Sequence, residues 1–192
     1  DGDLQRRLQA LAARQRLGLE AGATLAILVV ENSTMAVRAY VGAADYFDIG
    51  SRSQNDMVRA IRSPGSTLKP FVYGLAFDDL LIHPETIVTD RPMRFGDYAP
   101  QNFDHRFHGE LTAREALQLS LNLPAVALLS RVGPLRFTSL FRDVGLRLQL
   151  PDPGQAPGLP IVLGGVGTSL EDLVTAYAGI ATGGSIRPLR LT

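Results

Sequence analysis

"IRSPGSTLKPFVYGLA", residues 61 to 76, decides how the rest of the chain is read. It contains the only lysine among 19 lysines and arginines. Pro64-Gly65 breaks the chain. Beyond it Leu68, Phe71, Val72, Leu75 and Ala76 recur at helical spacing, which predicts a largely buried helix that stops before Pro84. Ser66 stands at the mouth of that helix and Lys69 lies three residues on, so the two side chains share a face. Lysine differs from arginine here: a desolvated ammonium can lose its proton, and a guanidinium effectively cannot. A neutral Lys69 could take the proton of Ser66 and make it a nucleophile. Free backbone N–H groups at the helix start could hold the resulting oxyanion. One serine three residues before a lysine also arises by chance, so the surrounding sequence has to carry part of the weight.

Working outward, "Ser120-Leu121-Asn122" falls between two further predicted helices. Two readings are open. Ser120 can end one helix while Asn122 caps the next. Alternatively the hydroxyl and the amide project beside Lys69, where they could relay a proton and hold a substrate amide.

Composition narrows the class. With 45% hydrophobic and 20% charged residues the 192-residue chain is globular, long enough for one sizeable domain or a large part of one. A net charge of zero with scattered arginines gives no electrostatic basis for nucleic-acid binding. The absence of cysteine excludes disulfides, thiolate catalysis and Cys-ligated metal. "TLAILVV", residues 24 to 30, suits a buried strand and is too short for a membrane helix. The first residues lack a signal-peptide apolar region.

Periodicity places a helix over residues 3 to 16 and a strand hairpin turning at Glu31-Asn32-Ser33. Residues 42 to 63 read as a loop, and residues 83 to 110 as a long surface excursion of the kind that often carries function. Thr112 and Glu115 form a capping box. Pro124 and Pro134 suit helix starts, and Gly145 a helix end. Ser169 to Thr182 is the last helix, closed by Gly183-Gly184. Helix dominates, and because one hairpin rarely makes a stable sheet, partner strands are expected outside this chain.

The blocks "PGSTLKPFVY", "REALQLSLNLPAVAL" and "LGGVGTSLEDLVTAYAGIATGG" together resemble the transpeptidase domain of class A penicillin-binding proteins. The segment "RPMRFGDYAPQNFDHRFHGELTAREALQLSLNLPAV" is most similar to the 1C branch. The likeness spans essentially residues 1 to 192. It implies an α+β, serine β-lactamase/transpeptidase-like fold, a helical cluster packed on an antiparallel sheet. It implies that Ser66 attacks the D-Ala-D-Ala bond of a peptidoglycan stem peptide, with Lys69 as base, Ser120 as proton relay and Asn122 binding substrate. Tyr98 and Asn102 would border the cleft as further substrate-binding residues. No cofactor or metal is implied. The partners implied are stem peptides of a lipid-linked precursor, β-lactams and other cell-wall synthesis proteins. The parent would be anchored at the extracytoplasmic face of the inner membrane and carry an upstream glycosyltransferase domain.

One departure stands out. The family has a third motif, K-T-G or a close basic variant, on a strand edging the cleft. Lys69 is the only lysine, and no R-T-G or H-T-G occurs, so the motif and its strands are expected beyond Thr192. The expectation is impaired catalysis by the chain as it stands and an open edge on the hairpin. Other readings are a β-lactam sensor or non-catalytic scaffold, and a serine β-lactamase, for which no water-activating residue stands out. His105 and His108, spaced H-x-x-H, read as polar loop packing in preference to a metal site. Gly164, Gly165 and Gly167 read as close packing of a turn and not as a phosphate loop.

Overall fold

The structure, a computed structural model, describes residues 1–20, 22–44, 55–152 and 154–191. The central part of the loop expected over 42 to 63 lies outside the described residues. The chain divides into two compact units: residues 1–62, 144–147 and 168–192, and residues 63–143 and 148–167.

In the first unit, helix α1 (Gly2–Arg16) is started by the Asp1 carboxylate, which accepts from the N–H groups of Asp3 and Leu4. Strands β1 (Ile27–Glu31) and β2 (Ala36–Val41) pair antiparallel, with a bulge between Val29 and Val30. Met35, Ala36, Ala39 and Val41 face inward. Of the hairpin's two edges, that of β1 is open as expected, pairing with no strand but β2 among the described residues, whereas that of β2 is partly covered. Gln5 of α1 bonds both the N–H and the C=O of Tyr40, at 2.8 and 2.9 Å. Arg190 adds a strand-like bridge beside Ala36. A primary amide carries a donor and an acceptor, so one side chain can stand in for a strand's backbone. The last helix of the chain (Leu170–Ala181) also belongs here, capped by Ser169 Oγ on the Asp172 N–H at 3.0 Å.

The second unit holds Ser66, Lys69, Ser120 and Asn122. A short 3-10 turn (Gly65–Leu68) runs directly into α2 (Lys69–Asp78), whose first turn accommodates Pro70 because no N–H is needed there. Lys69, Val72, Tyr73 and Ala76 are all buried. Helix α3 (Ala113–Gln118) starts at the expected capping box: Thr112 Oγ1 accepts from the Glu115 N–H, and Glu115 Oε2 accepts from the Thr112 N–H. Helix α4 (Asn122–Val132) is the most enclosed, with Leu123, Ala125, Val126 and Leu129 at 0% exposure. At about 1.5–3 kcal/mol for each large apolar side chain, this burial anchors the unit. Helix α5 (Pro134–Asp143) starts at Pro134 as expected, and Phe141 packs edge-on against Phe71 of α2 with ring centroids 5.3 Å apart.

The excursion differs from its expected form. Its ends are strands, β3 (Ile87–Asp90) and β4 (Gly109–Thr112), paired antiparallel with Asp90 opposite Gly109. Residues 91 to 108 are therefore a loop held at both feet, and their position over α4 is defined. Among the described residues no helix is long and apolar enough to cross a membrane.

Candidate active site

Lys69 is the first residue of α2 and is 1% exposed. A buried ammonium needs acceptors, and three are supplied by one short segment. Nζ donates to Ser120 O at 2.5 Å, to Asn122 Oδ1 at 2.6 Å and to Ser120 Oγ at 3.2 Å. Burial pushes the Lys69 pKa down from 10.5 to about 8. The lysine is thus partly neutral near physiological pH.

The segment that receives it is shaped by the end of α3. The Ser120 N–H bonds Leu117 O and the Leu121 N–H bonds Ala116 O, both at 3.0 Å. This is a Schellman termination, and its left-handed position is usually glycine. Here it is Ser120, with φ of +53°. A side chain in that region costs about 1–2 kcal/mol. In return the Ser120 carbonyl and hydroxyl both reach Lys69.

Asn122 opens α4 without capping it. Its amide is committed elsewhere: Oδ1 accepts from Lys69, and Nδ2 donates to Gln101 O at 2.7 Å. Of the two readings open for this segment, the geometry follows the one that sends hydroxyl and amide to the lysine. The Asn122 N–H donates instead to Asn102 Oδ1 at 2.8 Å.

Ser66 lies in the 3-10 turn with its side chain exposed to solvent. Among the described residues it makes no hydrogen bond to Lys69. The expected i, i+3 meeting is outcompeted, because a carbonyl and an amide oxygen satisfy a buried ammonium better than one exposed hydroxyl. The turn itself is fixed from across the unit. Ser63 Oγ donates to Gly164 O at 2.7 Å and accepts from the Gly65 N–H at 3.3 Å. Gly164 has φ of +94°, and a Cβ there would come within 2.8 Å of Gly65 N and Cα. The close-packed glycine turn expected from the sequence therefore rests against the residues just before Ser66. The Thr67 N–H bonds Pro64 O, while the Ser66 N–H has no acceptor among the described residues and is free for an incoming oxygen.

The two excursion residues proposed for substrate are placed differently. Tyr98 is half-buried in a tight turn bridged to Phe95, and burial raises its pKa. No hydrogen bond of its side chain to Lys69, Ser120 or Asn122 is present among the described residues. Asn102 is 4% exposed, and its amide is taken up by Asp90, Arg106 O and the Asn122 N–H. It supports the site from behind. Asp90, fully buried, was missed in the sequence; an acidic residue ending an apolar run was its only signal. His105 and His108 face separate partners, Gln101 at 2.9 Å and Asp90 at 3.0 Å. Beside Ser120 lies a cavity of about 280 Å³ lined by Asn102, His108, Leu119 and Leu121, with Phe103 at its rim.

A solved structure of PonA1 from Mycobacterium tuberculosis in complex with penicillin V superposes on 98% of this chain and 51% of its own, with a TM-score of 0.80 at 24% identity. That places the chain in the α+β β-lactamase/transpeptidase fold class. The family model of the penicillin-binding protein transpeptidase domain matches residues 25–192. Penicillin-binding protein 1C of Escherichia coli is 50% identical over 191 residues, all of this chain and 25% of that protein. Penicillin-binding protein 1F of Bacillus subtilis is 34% identical over 171 residues, 88% of this chain and 22% of that protein. The chain belongs to the penicillin-binding protein transpeptidase family. It spans about a quarter of the length of these relatives.

Proposed function

We propose that this chain carries the acyl-serine machinery of a peptidoglycan cross-linking transpeptidase. The observation that bears most of this reading is the buried Lys69 ammonium on Ser120 Oγ and Asn122 Oδ1, one helical start away from an exposed Ser66. Ser66 Oγ attacks the carbonyl carbon of the penultimate D-Ala, and its proton passes to neutral Lys69. The oxyanion forms at the free Ser66 N–H. As the intermediate collapses, the C–N bond breaks, and the leaving D-Ala amine receives a proton relayed through Ser120. An amine of a second stem peptide then attacks the ester, forming the cross-link and freeing Ser66. Attack by water instead gives carboxypeptidase activity. A β-lactam carbonyl meets the same serine, and opening of its ring leaves a stable ester. Asn122 Nδ2 is engaged with Gln101 O, so its part toward substrate requires that bond to exchange.

The same reading places the parent protein at the extracytoplasmic face of the inner membrane, with a glycosyltransferase domain and other cell-wall synthesis proteins as its setting. The test is labelling with a fluorescent penicillin, read by gel and intact mass. The parent protein is expected to gain one adduct, and its Ser66→Ala variant none. Equal labelling of both would refute Ser66 as the nucleophile. No labelling of the parent by any β-lactam would leave a scaffold role as the better account.

A further inference from the structure

We propose that Asp90 is a positioning residue for the acyl-transfer site, acting through Asn102 to hold Asn122 against Lys69. The inference rests on the reading of Lys69 as the base. Asp90 ends β3, at 0% exposure. A carboxylate so placed must be fully satisfied, because desolvating an unpaired charge is costly. Four donor contacts converge on it: Asn102 Nδ2 at 2.9 Å to each oxygen, the His108 N–H at 2.8 Å and His108 Nδ1 at 3.0 Å.

The charge fixes the rotation of the Asn102 amide. With Nδ2 on Asp90 and on Arg106 O at 2.8 Å, Oδ1 must face the opposite way, onto the Asn122 N–H at 2.8 Å. The flipped amide would set its oxygen against a carboxylate and its NH2 against an N–H. Neither contact is tolerable in a buried site. Leu121, the residue preceding α4, supplies no side-chain cap, so Asn102 does that work from another element. Gln101 O, one residue earlier, holds the Asn122 side chain. Residues 101 and 102 thus grip Asn122 by backbone and by side chain, and its remaining oxygen points at Lys69 Nζ at 2.6 Å. The field of Asp90 also reaches α2: it adds to burial in raising the pKa of Tyr73, four residues beyond Lys69.

A residue that only stabilises the fold and one that positions the base make opposite marks on a pH profile. Loss of the Asn122 oxygen removes an acceptor from the Lys69 ammonium and disfavours its charged form, which moves the acid limb of acylation to lower pH. General loosening hydrates Lys69 and moves the limb upward, toward the ordinary lysine value. The experiment measures the second-order rate of acylation by a fluorescent penicillin between pH 6 and 10. It uses the full-length parent, its Asp90→Asn variant and the swapped pair Asp90→Asn/Asn102→Asp. In Asp90→Asn the new NH2 faces the Asn102 Nδ2 donor whichever way the amide turns, because that nitrogen lies 2.9 Å from both Asp90 oxygens; the swap again sets a donor against an acceptor there, though it leaves Arg106 O without its donor. The expected result is at least a tenfold slower reaction for Asp90→Asn, an acid limb displaced downward, a lowered but still cooperative melting transition, and partial recovery of rate and melting in the swap. A wild-type rate with an unmoved limb overturns the inference. So does an upward shift, and so does failure of both variants to fold, which would assign the pair to folding alone. A parent that is never acylated fails one step earlier, at the reading of Ser66 and Lys69, and takes the inference with it.

Discussion

The Lys69 pKa yields a quantitative test of the base. With a value of about 8, roughly one lysine in five is neutral at pH 7.4; at the ordinary 10.5 it would be about one in a thousand. Burial therefore raises the population of the reactive form by about two orders of magnitude. The acylation rate of the parent protein by a penicillin should climb about tenfold per pH unit below 8 and level off above it. Lys69→Arg keeps the charge and removes the titration, so its profile should lose the inflection and its rate should fall by about 10²–10⁴. The same group leaves a mark on stability. Its folded pKa lies below its unfolded value, so between about 8 and 10.5 the unfolded chain holds more protons, and stability rises with pH across that window. Tyr40, raised to about 12, and Tyr73, also raised, act in the opposite sense only as pH passes their ordinary value of 10. Urea midpoints between pH 8 and 9.5 should thus rise more in the wild type than in Lys69→Met. A flat acylation profile from pH 6 to 9, or Lys69→Arg retaining more than about a tenth of the rate, would refute the assignment of Lys69 as base.

Two further substitutions follow from the packing. Gly164→Ala places a Cβ at positive φ against the backbone of Gly65, so it should cost about 2–5 kcal/mol in urea denaturation and slow Ser66 acylation; an unmoved midpoint contradicts the close approach. Tyr73 is fully buried and its hydroxyl has no hydrogen-bond partner among the described residues, so Tyr73→Phe should raise stability by about 1 kcal/mol or more, and a clear loss in the melt would reveal a bond to that oxygen.

Local signals carried much of this architecture. The buried helix after Pro64-Gly65, the capping box at Thr112 and Glu115, and the starts at Pro134 and Ser169 each depend on residues within one turn of each other. Lys69 was legible because burial of α2 follows from its apolar spacing. The β3–β4 pair was not: four-residue strands separated by a Pro-, Gly- and Asp-rich stretch have too little alternation to register, and their pairing is non-local. The partners of Asn102 were hidden for the same reason, since nothing near residue 102 points to Asp90 or Asn122. Ser120 conceals its role differently. Serine at a helix end suggests a local cap, and only the left-handed backbone turns its carbonyl toward Lys69.

The contact between Ser63 and Gly164 joins residues 101 positions apart. During synthesis the chain passes Ser66 long before the turn that steadies it exists. The loop before Ser66 therefore cannot come to rest until Gly164 has been made and a loop of that length closed, at an entropy cost met by contacts made elsewhere. A nascent or partly folded chain holds the serine and the lysine without their alignment. On the reading of Ser66 as the acylated residue, reactivity toward a penicillin then reports closure of this loop, and the drug serves as a probe of maturation as well as of activity.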